Sequence, residues 1–353
     1  MNNIGLLTFH YANNYGAVLQ TLATLDYLKS IEQNVNLINL NKVPTNKLLS
    51  VVYSHLFHRN FNKFRNKYFA PFSTIKYYTD EDITHLSSKY NVFIAGSDQI
   101  WRTKNTKVFG LKYFIDFAEN CKKISYASSF GVSDWEEKDK TENVGRLLRQ
   151  FEAISIREDS AVGICKNYFE VKAVKVVDPT LLMPAEYYRD ISKKARIEVP
   201  KRSIATFFLD RHASNKVSFV KKYAKKENYH IVDLTIPKMK FKGSYLDVFS
   251  KPVEEWLNIL DKSEIIITES YHCVLFALIF RKKFVCIKNI RRGLARLESI
   301  LKRLDLMYLF IDFNEATEQR IQEIISIKID YDKVWETLSS DIEYSKEYLN
   351  KNL

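Results

Sequence analysis

Ile4-Gly5-Leu6-Leu7-Thr8-Phe9, followed by Ala12-Asn13-Asn14-Tyr15-Gly16, is the stretch that decides the fold. A short, almost wholly apolar run stopped by a polar turn reads as a strand buried on both faces. Beyond the turn, Val18, Leu22, Leu25 and Leu28 recur at helical spacing, and residues 35–40 return to a strand-like run. A strand, turn, helix and strand in that order imply a parallel layer with a right-handed crossover.

The same alternation continues outward from this unit. Strand-like runs at 90–95, 124–128, 153–156 and 172–177 each end in a polar cluster. A polar segment over 184–201, with Lys193, Lys194, Arg196, Pro200 and Lys201, interrupts the pattern. Strands then restart at 203–209, 230–234, 265–268 and 284–287, with helices over 253–260, 273–280 and 294–304. A last amphipathic helix over 331–348 carries Val334, Leu338, Ile342 and Tyr348 on one side. The reading is an α/β protein of two Rossmann-like domains facing a cleft, 1–190 and 191–330, closed by a C-terminal helix over 331–353. Ligands of such sheets lie at the carboxyl ends of the strands.

Bulk properties agree and exclude several classes. A chain of 353 residues exceeds what one core comfortably fills, and 46% apolar with 27% charged residues is ordinary for a globular protein. No apolar run approaches the roughly 20 residues a membrane helix needs, and the N-terminus lacks the basic start and long apolar core of a signal peptide. The expectation is a cytoplasmic protein. Cys121, Cys165, Cys273 and Cys286 form no CxxC pair, so reduced thiols are expected and a zinc site is not. The net charge of +12 points to an anionic partner or to scattered solubilising lysines. No nucleic-acid module is present, nor any P-loop, GxGxxG, HExxH, GxSxG or kinase signature.

Residues 51–70 stand apart. Tyr53, Leu56, Phe57, Phe61, Phe64, Tyr68 and Phe69 alternate with Arg59, Lys63, Arg65 and Lys67, and no acid interrupts them. Two readings are open: a peripheral contact with the anionic inner membrane face, or a helix whose aromatic stripe packs on its own domain.

Four polar clusters sit at expected strand ends. Asn13, Asn14 and Gly16 precede a helix N-terminus, which suits anionic or hydroxyl-rich ligands and also suits an ordinary turn. Gly96-Ser97-Asp98-Gln99-Ile100-Trp101 offers a carboxylate, an amide and an indole face to a sugar, or forms a turn with a buried Trp. Arg157 follows a buried strand, placed to clamp a carboxylate or phosphate in a bidentate fork, or to pair with Glu158 or Asp159. Thr268-Glu269-Ser270-Tyr271-His272 joins a buried strand to an apolar helix, which brings His272 to free helix amides. The rival role for His272 is a cap or core position. From Glu269 to Glu298 seven cations, Arg281, Lys282, Lys283, Lys288, Arg291, Arg292 and Arg296, stand with no acid between them, a solvated run or a basic wall beside His272.

Taken together and in order, these clusters resemble the polysaccharide pyruvyl transferase family. The resemblance rests on residues 4–10 with 13–20, 96–101, 125–131, 156–159, 177–182 and 267–272, and it extends from residue 4 to about 305. It implies a two-domain fold similar to GT-B glycosyltransferases. It also implies an enzyme that moves pyruvate from phosphoenolpyruvate to a saccharide, lipid-linked or free, as a cyclic ketal in capsule or other surface polysaccharide synthesis. No cofactor or metal is implied, and nucleic acid is not a partner. Arg157, Arg296 and Ser270 fall at the donor site, His272 is the expected proton-transfer group, and Asp98 orients or deprotonates the acceptor. Asn13, Asn14, Gln99 and Trp101 are expected to hold the saccharide. Where some members carry Arg-Leu-His, this chain has Ser270-Tyr271-His272, and Cys273 stands where many have Gly. The alternative is a nucleotide-sugar glycosyltransferase of the same fold.

Overall fold

The continuous apolar runs become strands buried on both faces. In the computed structural model, which describes residues 2–40, 58–77, 83–106, 109–209, 218–236, 238–241, 244–247 and 250–353, the first sheet contains β1 (Asn3–Leu7), β2 (Asn34–Leu40), β3 (Ser73–Tyr77), β4 (Val92–Ala95) and β5 (Lys122–Ser125). Its order is β3-β2-β1-β4-β5 and every pairing is parallel. Single bridges from Ile124 to Ala153 and Ser128 to Ile156 extend the layer to β6 (Ser155–Ile156), which pairs with β7 (Val174–Lys175).

The second sheet repeats the plan with β8 (Ser203–Phe207), β9 (His230–Asp233), β12 (Ile265–Thr268), β13 (Lys283–Ile287) and β14 (Phe310–Ile311) in the order β14-β13-β12-β8-β9, again all parallel. Between them, β10 (Lys238–Phe241) and β11 (Ser244–Asp247) form an antiparallel pair. Strand order reverses between β1 and β4 in one sheet and between β8 and β12 in the other. Those are the two places where a doubly wound sheet opens a crevice for a ligand.

Helix α1 (Tyr15–Ser30) starts at Asn14, whose side chain accepts from Ala17 N at 3.2 Å. The sequence predicted one apolar face, yet α1 is buried almost all round, because it lies between its own sheet and the second half. Tyr15 stacks on Trp256 at 4.9 Å. One apolar cluster is therefore continuous through both halves, while a second, containing Trp101, Phe114 and Phe130, covers the outer face of the first sheet.

Helix α2 (Arg59–Tyr68) takes up the described part of the basic aromatic stretch; residues 51–57 lie outside the described residues. Phe61, Phe64 and Phe69 are buried, Phe61 lies 5.0 Å from Tyr15, and Lys67 pairs with Glu254 of the second half at 3.6 Å. Phe61, Phe64 and Phe69 thus pack at the junction of the halves, and Arg59, Lys63 and Lys67 remain exposed.

The other helices of eight residues or more among the described residues are α3 (Thr141–Leu148), α4 (Asp159–Phe169), α5 (Ala185–Ser192), α6 (Ser218–Lys226), α7 (Val253–Lys262), α8 (Tyr271–Ile279), α9 (Ala295–Arg303), α10 (Glu318–Ser326) and α11 (Tyr331–Asn352). Within the polar segment, α5 packs on α7, with Arg189 Nε 3.2 Å from Asp261. Helix α11 crosses back to the first half. There Ser345 Oγ accepts from Val177 N at 3.0 Å and Tyr348 donates to the Ser125 carbonyl at 3.0 Å. No described helix is long and apolar enough to cross a membrane.

Candidate active site

The carboxyl ends of the two sheets meet across a cavity of about 320 Å³. The first half contributes Phe9, Asn14, Asp98, Gln99, Arg102 and Asn105 to its wall; the second contributes Ser270, Tyr271, His272, Arg291, Arg292 and Arg296. Two helix N-termini, those of α1 and α8, open toward it.

His272 is the second residue of α8, after the cap residue Ser270. Its side chain is nearly buried, at 8% exposure, and its imidazole lies on Gly16 of α1. A Cβ at Gly16 would sit 2.0 Å from His272 Nδ1, so only glycine fits beneath the ring. On the other edge, Nε2 faces Asp178 Oδ2 at 3.5 Å and has no hydrogen-bond partner.

Asp178 ties the array together. Oδ1 accepts from the Thr180 amide at 3.0 Å and the Thr180 hydroxyl at 2.8 Å, while Oδ2 accepts from Arg157 Nη1 at 2.6 Å. Burial alone would raise this carboxyl, but His272, Arg157 and the Thr180 amide hold it well below the usual carboxylate range. Arg157 is fully buried; Nη1 also donates to Ser97 Oγ at 3.3 Å, and Nη2 lies 3.5 Å from Asp98. Its Nε and Nη2 have no hydrogen-bond partner.

Asp98 occupies a left-handed backbone conformation, φ 79°, uncommon for a residue other than glycine. Its carboxylate accepts from the Gln99 amide at 2.8 Å and is 15% exposed. Burial would raise its pKa, yet Arg157, His272 and Arg296 bring it below the ordinary value. The Arg296 guanidinium lies 5.4 Å from the Tyr271 ring centre, and that of Arg157 lies 4.8 Å from the same ring. Burial, helped by Arg157, lowers the Arg296 pKa to about 10, still cationic at neutral pH. Gln99 bridges the halves, 2.9 Å from the Asn105 amide nitrogen and 3.2 Å from Arg296 Nε. Beside it, Gly293 (φ 79°) approaches the Gly131 carbonyl so closely that a Cβ would come within 2.3 Å.

The structure brings together His272, Asp98, Gln99, Asn14, Ser270 and Arg296. Arg157 stands one layer behind the cavity wall, and its partner is Asp178 rather than Glu158 or Asp159; Glu158 Oε1 instead accepts from Ser129 Oγ and Gly131 N, both at 2.9 Å. Asn13 turns away to accept from Arg65 Nη2 at 2.8 Å. Trp101 departs from the expectation of a sugar platform. It is 0% exposed, stacks on Phe114 at 5.6 Å and donates to the Tyr113 carbonyl at 3.0 Å, so it belongs to the core and offers no face to the cleft. Asp178, Ser97 and Tyr271 were missed as individual site residues. The available signal was an aspartate followed by Pro179 at a strand end, a self-capping turn that holds a carboxylate in place. Among the described residues, no group of three or more His, Cys, Asp or Glu side chains is placed to hold a metal ion.

Two parallel sheets with a cleft between their carboxyl ends define the GT-B class, and solved structures agree. The chain is similar to a UDP-N-acetylglucosamine 2-epimerase from Rickettsia bellii, with TM-score 0.56 and 10% identity over 98% of this chain and 94% of that one. It is also similar to S. aureus MnaA in a co-structure with UDP, with TM-score 0.55 and 14% identity over 99% and 97%. At these identities the likeness speaks for the fold alone. No curated protein matches the chain at a significant level. Residues 14–290 match the polysaccharide pyruvyl transferase family, and the chain belongs to it.

Proposed function

We propose that this transferase moves the pyruvyl group of phosphoenolpyruvate onto two hydroxyls of a lipid-linked saccharide, forming a cyclic ketal for a surface polysaccharide, and that it acts in the cytoplasm. The observation that carries the reading is the convergence of His272, Asp98 and Arg296, from two motifs and the cation run beyond them, on one cavity between the two sheets. Arg296, with the amides at the start of α8, faces the donor's carboxylate and phosphate. Arg157 acts on the donor through the field it shares with Asp178 and Tyr271.

In this reading His272 delivers a proton to the methylene carbon of the donor. The adjacent carbon, now cationic, takes one sugar hydroxyl, whose proton passes to Asp98. The bond to phosphate breaks, and the second hydroxyl closes the ring. Of the two hydroxyl protons lost, one makes good the proton now in the methyl group and the other leaves with phosphate. Asp98 is suited to the base role because nearby cations keep it ionised. Fixed positive charge opposite the departing phosphate stabilises the charge that develops there.

The test is phosphate release from phosphoenolpyruvate over a panel of lipid-linked saccharides. Wild-type protein should turn over with at least one acceptor, and His272→Gln should lose roughly a hundredfold or more. Near-normal turnover in His272→Gln would remove the histidine from the mechanism. Binding of a UDP-sugar, with none of phosphoenolpyruvate, would favour a glycosyltransferase instead.

A further inference from the structure

The two walls of the cavity differ in chemistry. The second half presents the guanidinium groups of Arg291, Arg292 and Arg296 against the single carboxylate of Glu269, a face with an excess of positive charge. The first half presents Phe9 among the polar side chains of Asp98, Gln99 and Asn105, with one cation, Arg102, which is paired with Glu136 at 3.0 Å. Phe9 does not stand alone. Tyr11 and Phe109 are likewise only half-buried, with ring centres 6.0 Å from Phe9 to Tyr11 and 5.6 Å from Tyr11 to Phe109. Behind them Tyr113 is buried and meets Phe9 and Phe109 edge-on, at 5.3 and 5.9 Å.

The local cause lies at the end of β1. Thr8 is buried and donates to the Ser97 carbonyl at 2.8 Å, which locks the end of β1 against the turn that carries Asp98. Phe9 follows directly and is held at the cavity edge, while His10 turns inward to Asn39 at 2.9 Å. The result is a braced row of aromatic rings, partly open to solvent, bordered by a carboxylate and two amides.

We propose that Phe9 and Tyr11, backed by Tyr113 and flanked by Phe109, form the platform on which the acceptor pyranose stacks. The apolar C–H face of a sugar ring meets the electron-rich face of an aromatic ring, and its hydroxyl rim meets Asp98, Gln99 and Asn105. Phe9 thereby takes the role that the sequence assigned to Trp101. The division also keeps the neutral acceptor on the first half and the anionic donor on the cationic second half. This inference rests on the proposed transfer to a saccharide, but it needs no turnover to be tested.

Saturation-transfer NMR with the methyl pyranosides of galactose, glucose and mannose, without donor, is the experiment. At least one should receive saturation at its ring C–H protons from the wild-type protein. Phe9→Leu keeps the volume but loses the aromatic face, and should weaken that binding about tenfold, whereas Phe9→Tyr should retain it. Tyr11→Leu serves as a second variant, with thermal melts verifying both folds. The phosphoenolpyruvate-induced melting shift should persist in Phe9→Leu. No transfer to any of the three sugars, or equal affinity in wild type and both Leu variants, would overturn the platform. Loss of the donor shift in Phe9→Leu would overturn the division of the walls. Failure of the wild type to bind phosphoenolpyruvate while it still binds a pyranoside would defeat the proposed reaction and leave the platform standing.

Discussion

Gly16→Ala adds one methyl group beneath the imidazole of His272. The new carbon would lie 2.0 Å from Nδ1 and 2.2 Å from Cγ. An ordinary contact between such atoms is about 3.5 Å, so the ring must retreat by roughly 1.5 Å. That movement carries Nε2 out of its place 3.5 Å from Asp178. Overpacking should cost about 1–3 kcal/mol, offset by about 1 kcal/mol from the better helix propensity of alanine. The melt should therefore fall only slightly. Turnover should fall about a hundredfold, because displacing a reacting group by about 1 Å costs that much. Gly163→Ala is the control, since a Cβ there has nothing within 4 Å; it should be neutral or mildly stabilising and fully active. The assay is donor-dependent phosphate release together with thermal melts. Turnover of Gly16→Ala within about twofold of wild type would refute the reasoning, for the position of the imidazole on Gly16 would then not matter to the chemistry.

Asp178→Asn takes from the buried Arg157 its nearer counter-ion, leaving Asp98 at 3.5 Å from Nη2, and should cost up to about 3–5 kcal/mol at neutral pH. Because the folded Asp178 pKa is depressed, its contribution is present above the unfolded value near 4 and is lost as pH falls through the folded one. The gap in melting temperature between wild type and Asp178→Asn should thus narrow in acid, and an equal gap at pH 7 and pH 3 would contradict the assignment. Arg296→Ala should raise the donor KM with little change in the melt, because the guanidinium lines the cavity; an unchanged donor KM would exclude it from the donor site. Phosphoenolpyruvate should raise the melting temperature equally with and without chelator, and a shift that needs added magnesium would contradict metal-free binding. Trp101→Ala should destabilise by about 3–5 kcal/mol, as a core substitution does; a large acceptor KM effect in a stable variant would restore it to the site.

Much of the architecture was legible because it depends on local patterns. A fully buried strand must be a continuous apolar run, and a parallel sheet must alternate such runs with helices, so β1, β4, β8 and β12 could be read directly, to within a few residues. His272 and Asp98 were legible for a related reason: in a doubly wound sheet, polar residues just past strand ends have few places to go but the cleft. Short elements escaped. Strand β14 spans only Phe310–Ile311, and α5 lies in a stretch whose polarity hid its packing on α7.

The sequence by itself determined the strand and helix alternation, the family and the motif positions, because each is encoded in neighbours along the chain. Only the tertiary structure decided which motifs meet. Arg157 finds Asp178 because β6 is bridged to the edge of the first sheet and the loop after β7 returns beside the turn that bears Ser97. Trp101 is turned into the core because Asp98 adopts a positive φ, which redirects the chain just before it. The buried rings of α2 pack where α1 of the first half meets α7 of the second, a burial that no periodicity within 51–70 could reveal. Periodicity reports that a face is apolar; only the packing of distant elements decides whether that face meets protein, membrane or ligand.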